Sequence, residues 1–232
     1  MNEQLQTAYA GQVGSGALVE QRNRVLRNTY WLLALSLVPT VLGAWIGVTT
    51  GVMAKVGMGL STVIFLVGAF GLMFAIEKFK NSSTGVVLLL AFTFFMGLML
   101  SRMLAAILGF SNGSSLIMTA FGGTAAVFFA MASLASVIKR DLTNMGKLLF
   151  VGAILLLVVG VINIFVQSSA LMITLSVIAI GLFSAFMLYD IKRVIDGGET
   201  NYVTATLAIY LDVYNVFQSM LALLGIFGGE RE

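Results

Sequence analysis

Of the ten acidic residues in this sequence, eight fall in polar tails or loops and two, Asp190 and Asp212, fall in apolar runs. Asp212 lies about ten residues inside its run, where an ionised carboxylate costs several kcal/mol unless it is paired, hydrated or protonated. It must therefore face the interior of a helix bundle. On a helix, Asn215 and Ser219 follow at i+3 and i+7 with Gln218 beside them, so one face would carry a polar stripe. The chemistry available to such a stripe is holding or passing a proton or a cation. The plainer alternative is a hydrogen-bond network that glues helices together, and Asn215, Gln218, Asn163 and Gln167 read that way. Asp212 reads as an ion or proton group, because an amide would supply the same glue without the charge penalty. Asp190 sits beside Lys192 and Arg193, where an interfacial salt bridge is the simplest expectation.

The sequence holds no Cys and no His. Disulfides, thiolate nucleophiles, imidazole ligands and His-based triads are excluded with them. Two carboxylates activating water, as in an aspartyl intramembrane protease, would be the one enzyme chemistry left, and the contexts of Asp190 and Asp212 do not resemble those proteases. A non-enzymatic protein without a cofactor is the expectation.

The elements that must position these residues follow from composition. The 232 residues are 59% apolar and 10% charged, with a mean hydropathy of +1.01. Globular domains run at about 45–50% apolar and about 25% charged, so the bilayer is the natural solvent and partner. The net charge of +3 comes with no long basic cluster, which argues against nucleic acid. Residues 1–28 form a polar tail, residues 29–228 a membrane domain, and residues 229–232 a short end. Seven runs are long enough to span: approximately Thr29 to Val48, Val56 to Ile76, Gly85 to Ser101, Leu116 to Ile138, Leu148 to Val166, Ala170 to Asp190 and Tyr202 to Phe227. The last could instead be re-entrant, because Asp212, Asn215 and Gln218 interrupt it. Gly43 with Gly47, and Gly122 with Ala126 and Ala130, form small-residue stripes expected to pack helices closely. Pro39 is expected to kink the first helix.

A tail placed in the cytoplasm puts ten basic residues inside: Arg22, Arg24, Arg27, Lys78, Lys80, Lys139, Arg140, Lys147, Lys192 and Arg193. Only Lys55, Arg102 and Arg231 then face out, the asymmetry expected of a cytoplasmic amino terminus. Whether Asp190 and Asp212 meet is a separate matter. A reversal near Gly197 and Gly198 leaves them offset in depth by roughly 10 Å at 1.5 Å per residue, so spacing alone establishes no dyad.

Several segments resemble the Bax inhibitor (transmembrane Bax-inhibitor motif) family, especially its bacterial YccA-like branch. They are Val25-Leu26-Arg27-Asn28-Thr29-Tyr30, Phe121-Gly122-Gly123-Thr124-Ala125, Asn163-Ile164-Phe165, Leu188-Tyr189-Asp190, Gly197-Gly198-Glu199-Thr200-Asn201-Tyr202 and Tyr210-Leu211-Asp212-Val213-Tyr214-Asn215-Val216-Phe217. The resemblance implies an all-α integral membrane fold, seven transmembrane helices with six wrapped around a central C-terminal helix. It implies that Asp190 and Asp212 form a hydrogen-bonded pair in a pH-sensitive passive calcium leak, and that they touch calcium transiently. Some members carry an acid inside the second helix and an arginine at its inner end. Here residues 58 to 76 hold no acid, and only Lys78 and Lys80 stand near the arginine's position as a candidate latch. The YccA-like branch also implies an inner-membrane location and a role as binding modulator and slow substrate of the membrane protease FtsH, with the polar tail as the handle.

Overall fold

Inside a bilayer each backbone N–H and C=O needs a partner on its own segment, so apolar runs of this length become helices. The computed structural model describes the backbone of residues 2–230 and the side chains of residues 19–230 other than Met58. Arg231, expected to face outward, lies outside the described residues. Among them are eight helices and no strand: α1 (Asn2–Thr50), the one-turn α2 (Val52–Lys55), α3 (Met58–Phe79), α4 (Ser83–Leu108), α5 (Gly113–Val137), α6 (Thr143–Val166), α7 (Ser169–Ile195) and α8 (Tyr202–Gly228). Seven are long and apolar enough to cross a membrane, and the chain is an all-α integral membrane protein.

The boundaries have local causes. Ser168 accepts a hydrogen bond from the Leu171 N–H at the start of α7, and the Asn201 side chain accepts from the N–H groups of Val203 and Thr204 at the start of α8, satisfying first-turn donors. Gly197 takes φ +80 just after α7, the left-handed conformation that ends helices at little cost for glycine. α8 runs unbroken for 27 residues, about 40 Å at 1.5 Å per residue. The re-entrant alternative would need a break that this helix does not have.

Burial separates inner from outer helices. In the most apolar stretch of α4 and of α8, 39% of residues are buried, against 6% in α6 and 11% in α3. α8 packs against α7, α5, α1 and α4, with a small contact to α3, while α6 leans on α7. The last helix is thus interior, with four close neighbours and two peripheral helices completing the bundle.

α1 and α4 form the most extensive pair. Gly97 lies against the Thr40 carbonyl and Gly43 against that of Phe94, so a Cβ at either position would overlap backbone. The Gly43–Gly47 stripe therefore packs as expected. The Gly122, Ala126, Ala130 stripe does not: all three are exposed, and a Cβ on Gly122 would meet nothing. It is the next residue, Gly123, that packs, against Met220. α1 continues through Pro39 as one helix, and it crosses the expected tail boundary at residue 28 without interruption. Its 49 residues amount to roughly 74 Å, more than twice the hydrocarbon thickness of about 30 Å, so its amino-terminal part extends beyond any membrane.

Candidate functional site

Two polar side chains from consecutive helices meet inside the bundle. Asp212 is 3% exposed, carried by the interior face of α8, and its carboxyl lies within hydrogen-bonding reach of the Asp190 carboxyl on α7. Asp190 precedes the end of α7 by five residues and Asp212 follows the start of α8 by ten, an offset of about 8 Å at 1.5 Å per residue. The connection from Asp196 to Asn201 can make up that difference, because six residues reach up to about 20 Å when extended. Gly198 and Glu199 both donate to the Arg193 carbonyl, and the Asn201 cap is itself extended.

The surroundings offer the pair little compensation. Asp212 Oδ2 is buried and receives no hydrogen bond from any N–H or hydroxyl of the described residues. The salt bridge expected for Asp190 is not made: Lys192 pairs with Asp196 and Arg193 with Glu199 at 3.7 Å. Both lie toward the turn, where those acids are closer to solvent. Among the described residues no third Asp or Glu joins the pair in a metal-binding cluster. Calcium takes six to eight oxygens, so a cation here would retain much of its water.

The polar stripe of α8 divides. Asn215 donates its amide to the Leu211 carbonyl of its own helix at 2.7 Å, Ser219 is half-buried and Gln218 is exposed. Asp212 alone is fully inside. Of the candidate latch residues, Lys80 pairs with Glu77 and Lys78 lies over the Phe79 ring, and among the described residues neither forms an ion pair with Asp190 or Asp212. Asn163 accepts from the Ser168 N–H and closes the turn between α6 and α7, which fits its reading as structural glue.

Sequence reasoning missed the tyrosines flanking Asp212. The Tyr210 hydroxyl shares a hydrogen bond with the Thr40 hydroxyl at 2.9 Å, and the Tyr214 hydroxyl donates to the Met96 carbonyl at 3.3 Å. These bonds tie α8 to α1 and α4 on either side of the aspartate. The available signal was their spacing, since Tyr210 and Tyr214 are four residues apart and share a helix face.

Comparison with known proteins agrees with this architecture. The family described as Inhibitor of apoptosis-promoting Bax1 matches residues 22–229. The chain belongs to this Bax inhibitor family. The Modulator of FtsH protease YccA of Escherichia coli K12 is 37% identical over 203 residues, covering 88% of this chain and 90% of its own length. A relative of the same identity and coverage in another Escherichia coli strain is named Inner membrane protein YccA. A membrane protein of Vibrio cholerae is 37% identical over 210 residues, 89% of this chain and 91% of its own. The family match begins at Arg22, within α1, and ends at Gly229, just past α8. It therefore spans both helices that carry the aspartates.

Proposed function

We propose that this Bax inhibitor family protein is a non-enzymatic, multi-pass protein of the bacterial inner membrane, in which the Asp190–Asp212 contact is a proton-sensitive join controlling a passive cation path. The observation that carries this reading is the burial of Asp212 with one oxygen that no N–H or hydroxyl of the described residues reaches and a second carboxyl beside it. Two anions at that distance in a dry interior repel strongly. One proton shared between them replaces the repulsion with a hydrogen bond, and the two groups then titrate as a unit. Loss of that proton sets the negative charges against each other across the α7–α8 interface. The helices then separate, or a hydrated cation enters, calcium being suited because its ligands are oxygens. The test is calcium flux into liposomes at several pH values. Asp212→Asn keeps the size and removes one titrating group, so its flux should lose the parent's pH dependence even where some leak persists. The parent's full pH profile in that variant would refute the switch.

A second reading is favoured by the similarity to the Escherichia coli relative, a modulator of FtsH protease. In this reading the protein binds that protease and is slowly degraded by it, with the amino-terminal tail as the point of engagement. The two roles are compatible, since the tail and the aspartates lie in different parts of the chain.

A further inference from the structure

At the base of the first transmembrane span, Asn23, Leu26, Arg27, Tyr30 and Trp31 line a groove of about 390 Å³. These positions repeat at i, i+3, i+4, i+7 and i+8 and so form one face of α1. The opposite face is committed to the bundle: Val25, Thr29, Leu32 and Leu33 are buried, and Val25 packs with Val194 and Ala205 at the α7–α8 turn. The groove face is only lightly covered: Leu26 touches that cluster and Tyr30 meets Phe128 of α5, while Asn23, Arg27 and Trp31 stay exposed. α1 and α5 each pack closely against α8 and have little contact with each other beyond the Tyr30–Phe128 ring pair, 6.1 Å between centroids.

The groove is graded along its length. Arg27 is exposed and, like Arg24, makes no ion pair or hydrogen bond among the described residues. Glu20, a further turn out, bridges neither. About 6 Å deeper, at 1.5 Å per residue, the Trp31 ring stands 74% exposed at the level where indoles favour the membrane–water boundary. An uncompensated guanidinium one turn above an exposed indole matches a phosphodiester above its acyl chains in charge and in polarity.

We propose that this groove binds one anionic phospholipid. Arg27 takes the phosphate as a forked donor, Asn23 adds an amide hydrogen bond, and Arg24 adds attraction for the net negative headgroup. Trp31 covers the glycerol region, and the acyl chains lie along the exposed apolar face of α1 that continues past it through Leu35 and Val38.

The sequence has two tryptophans, so a Trp45→Phe background leaves Trp31 as the only indole. The full chain in this background is reconstituted into vesicles with increasing brominated phosphatidylglycerol or brominated phosphatidylcholine, and quenching of Trp31 reports lipid at the groove. Quenching should favour phosphatidylglycerol by about fivefold per engaged arginine, the factor given by roughly 1 kcal/mol for each basic residue near the surface. Arg27→Gln should bring the preference down by about that factor, while Arg27→Lys should keep most of it. Lys147→Gln, on the outer helix α6, should change nothing. Equal quenching by both lipids in the parent would overturn the proposal. So would equal losses in Arg27→Gln and Lys147→Gln, which would mean general surface attraction. Loss of the preference on adding inorganic phosphate would mean a free-anion site and would equally overturn a lipid site.

Discussion

A carboxyl inside a membrane helix is held by what surrounds it, and around Asp212 the hydroxyls serve α8 rather than the acid. The Tyr210 hydroxyl meets Thr40 at 2.9 Å, and the Thr40 hydroxyl also donates to the Ser36 carbonyl of its own helix. Tyr210→Phe keeps the buried ring and removes the contact with Thr40 together with a longer one, 3.5 Å, to the Thr93 carbonyl of α4. It should therefore cost about 1 kcal/mol, read as a fall of a few degrees in the thermal midpoint in detergent. An unchanged midpoint would mean that the hydroxyl contributes nothing to holding α1 and α8 together. Asp141, outside the spans, is the opposite kind of acid. It accepts from the backbone N–H and the hydroxyl of Thr143, and these bonds, the side-chain one first, hold its carboxyl below the usual range. Since the folded value is the lower one, the cap at the start of α6 is fully present above the ordinary carboxylate range. It is lost as pH falls through that lowered value. Amide hydrogen exchange at Thr143 should therefore quicken toward strongly acidic pH in the parent, relative to a core amide, and show no such step in Asp141→Asn.

Helix packing separates glycines that look alike in the sequence. Gly97→Ala pushes a methyl group into the Thr40 carbonyl and must force α1 and α4 apart, whereas Gly122→Ala adds a methyl where nothing stands within 4 Å. The first should destabilise by about 1–3 kcal/mol through overpacking. The second should be neutral or stabilise by up to about 1 kcal/mol through helix propensity, and paired melting curves would show whether the order is right. The two small-residue stripes could not be told apart in advance, because four-residue spacing says that a face is narrow and not which neighbour it meets. The seven spans were legible because each hydrophobic run has to satisfy its own backbone. The interior position of Asp212 was legible for a related reason, since charge is expelled from lipid. Three things were not legible: the approach of Asp190, which depends on the rise of a six-residue turn; the outward position of Gln218; and the capture of Lys80 by Glu77. Each is decided by contacts between segments far apart in sequence or by local pairing that composition does not rank.

At the scale of the whole molecule, an odd number of crossings puts the two termini on opposite sides, and the ten-to-three division of basic residues favours a cytoplasmic amino terminus. Reporter fusions should therefore give a cytoplasmic signal at the amino end and an external one at the carboxyl end. Signals from the same side would rule out seven crossings. The carboxyl end is also fastened: the Asn112 amide donates to the Gly228 carbonyl, and Ser111 donates to that of Glu230, so this end of α8 is tied to the α4–α5 loop. The amino end differs, because α1 begins at Asn2, many residues before the first apolar run, and Arg22 reaches the α7–α8 turn. There the Arg22 guanidinium lies over Gly197, and a Cβ on that glycine would come 2.5 Å from Nε. A protease that pulls on its substrate needs a polar terminal segment to engage, and the polar stretch before Arg22 is the long candidate. Deleting Met1 to Val19 spares the Arg22 contact and every described core cluster. The melting midpoint should therefore be unchanged, while the half-life in cells with active FtsH lengthens severalfold. Equal half-lives for the full-length and shortened chains, with both still folded in the membrane, would show that the tail is not where that protease takes hold.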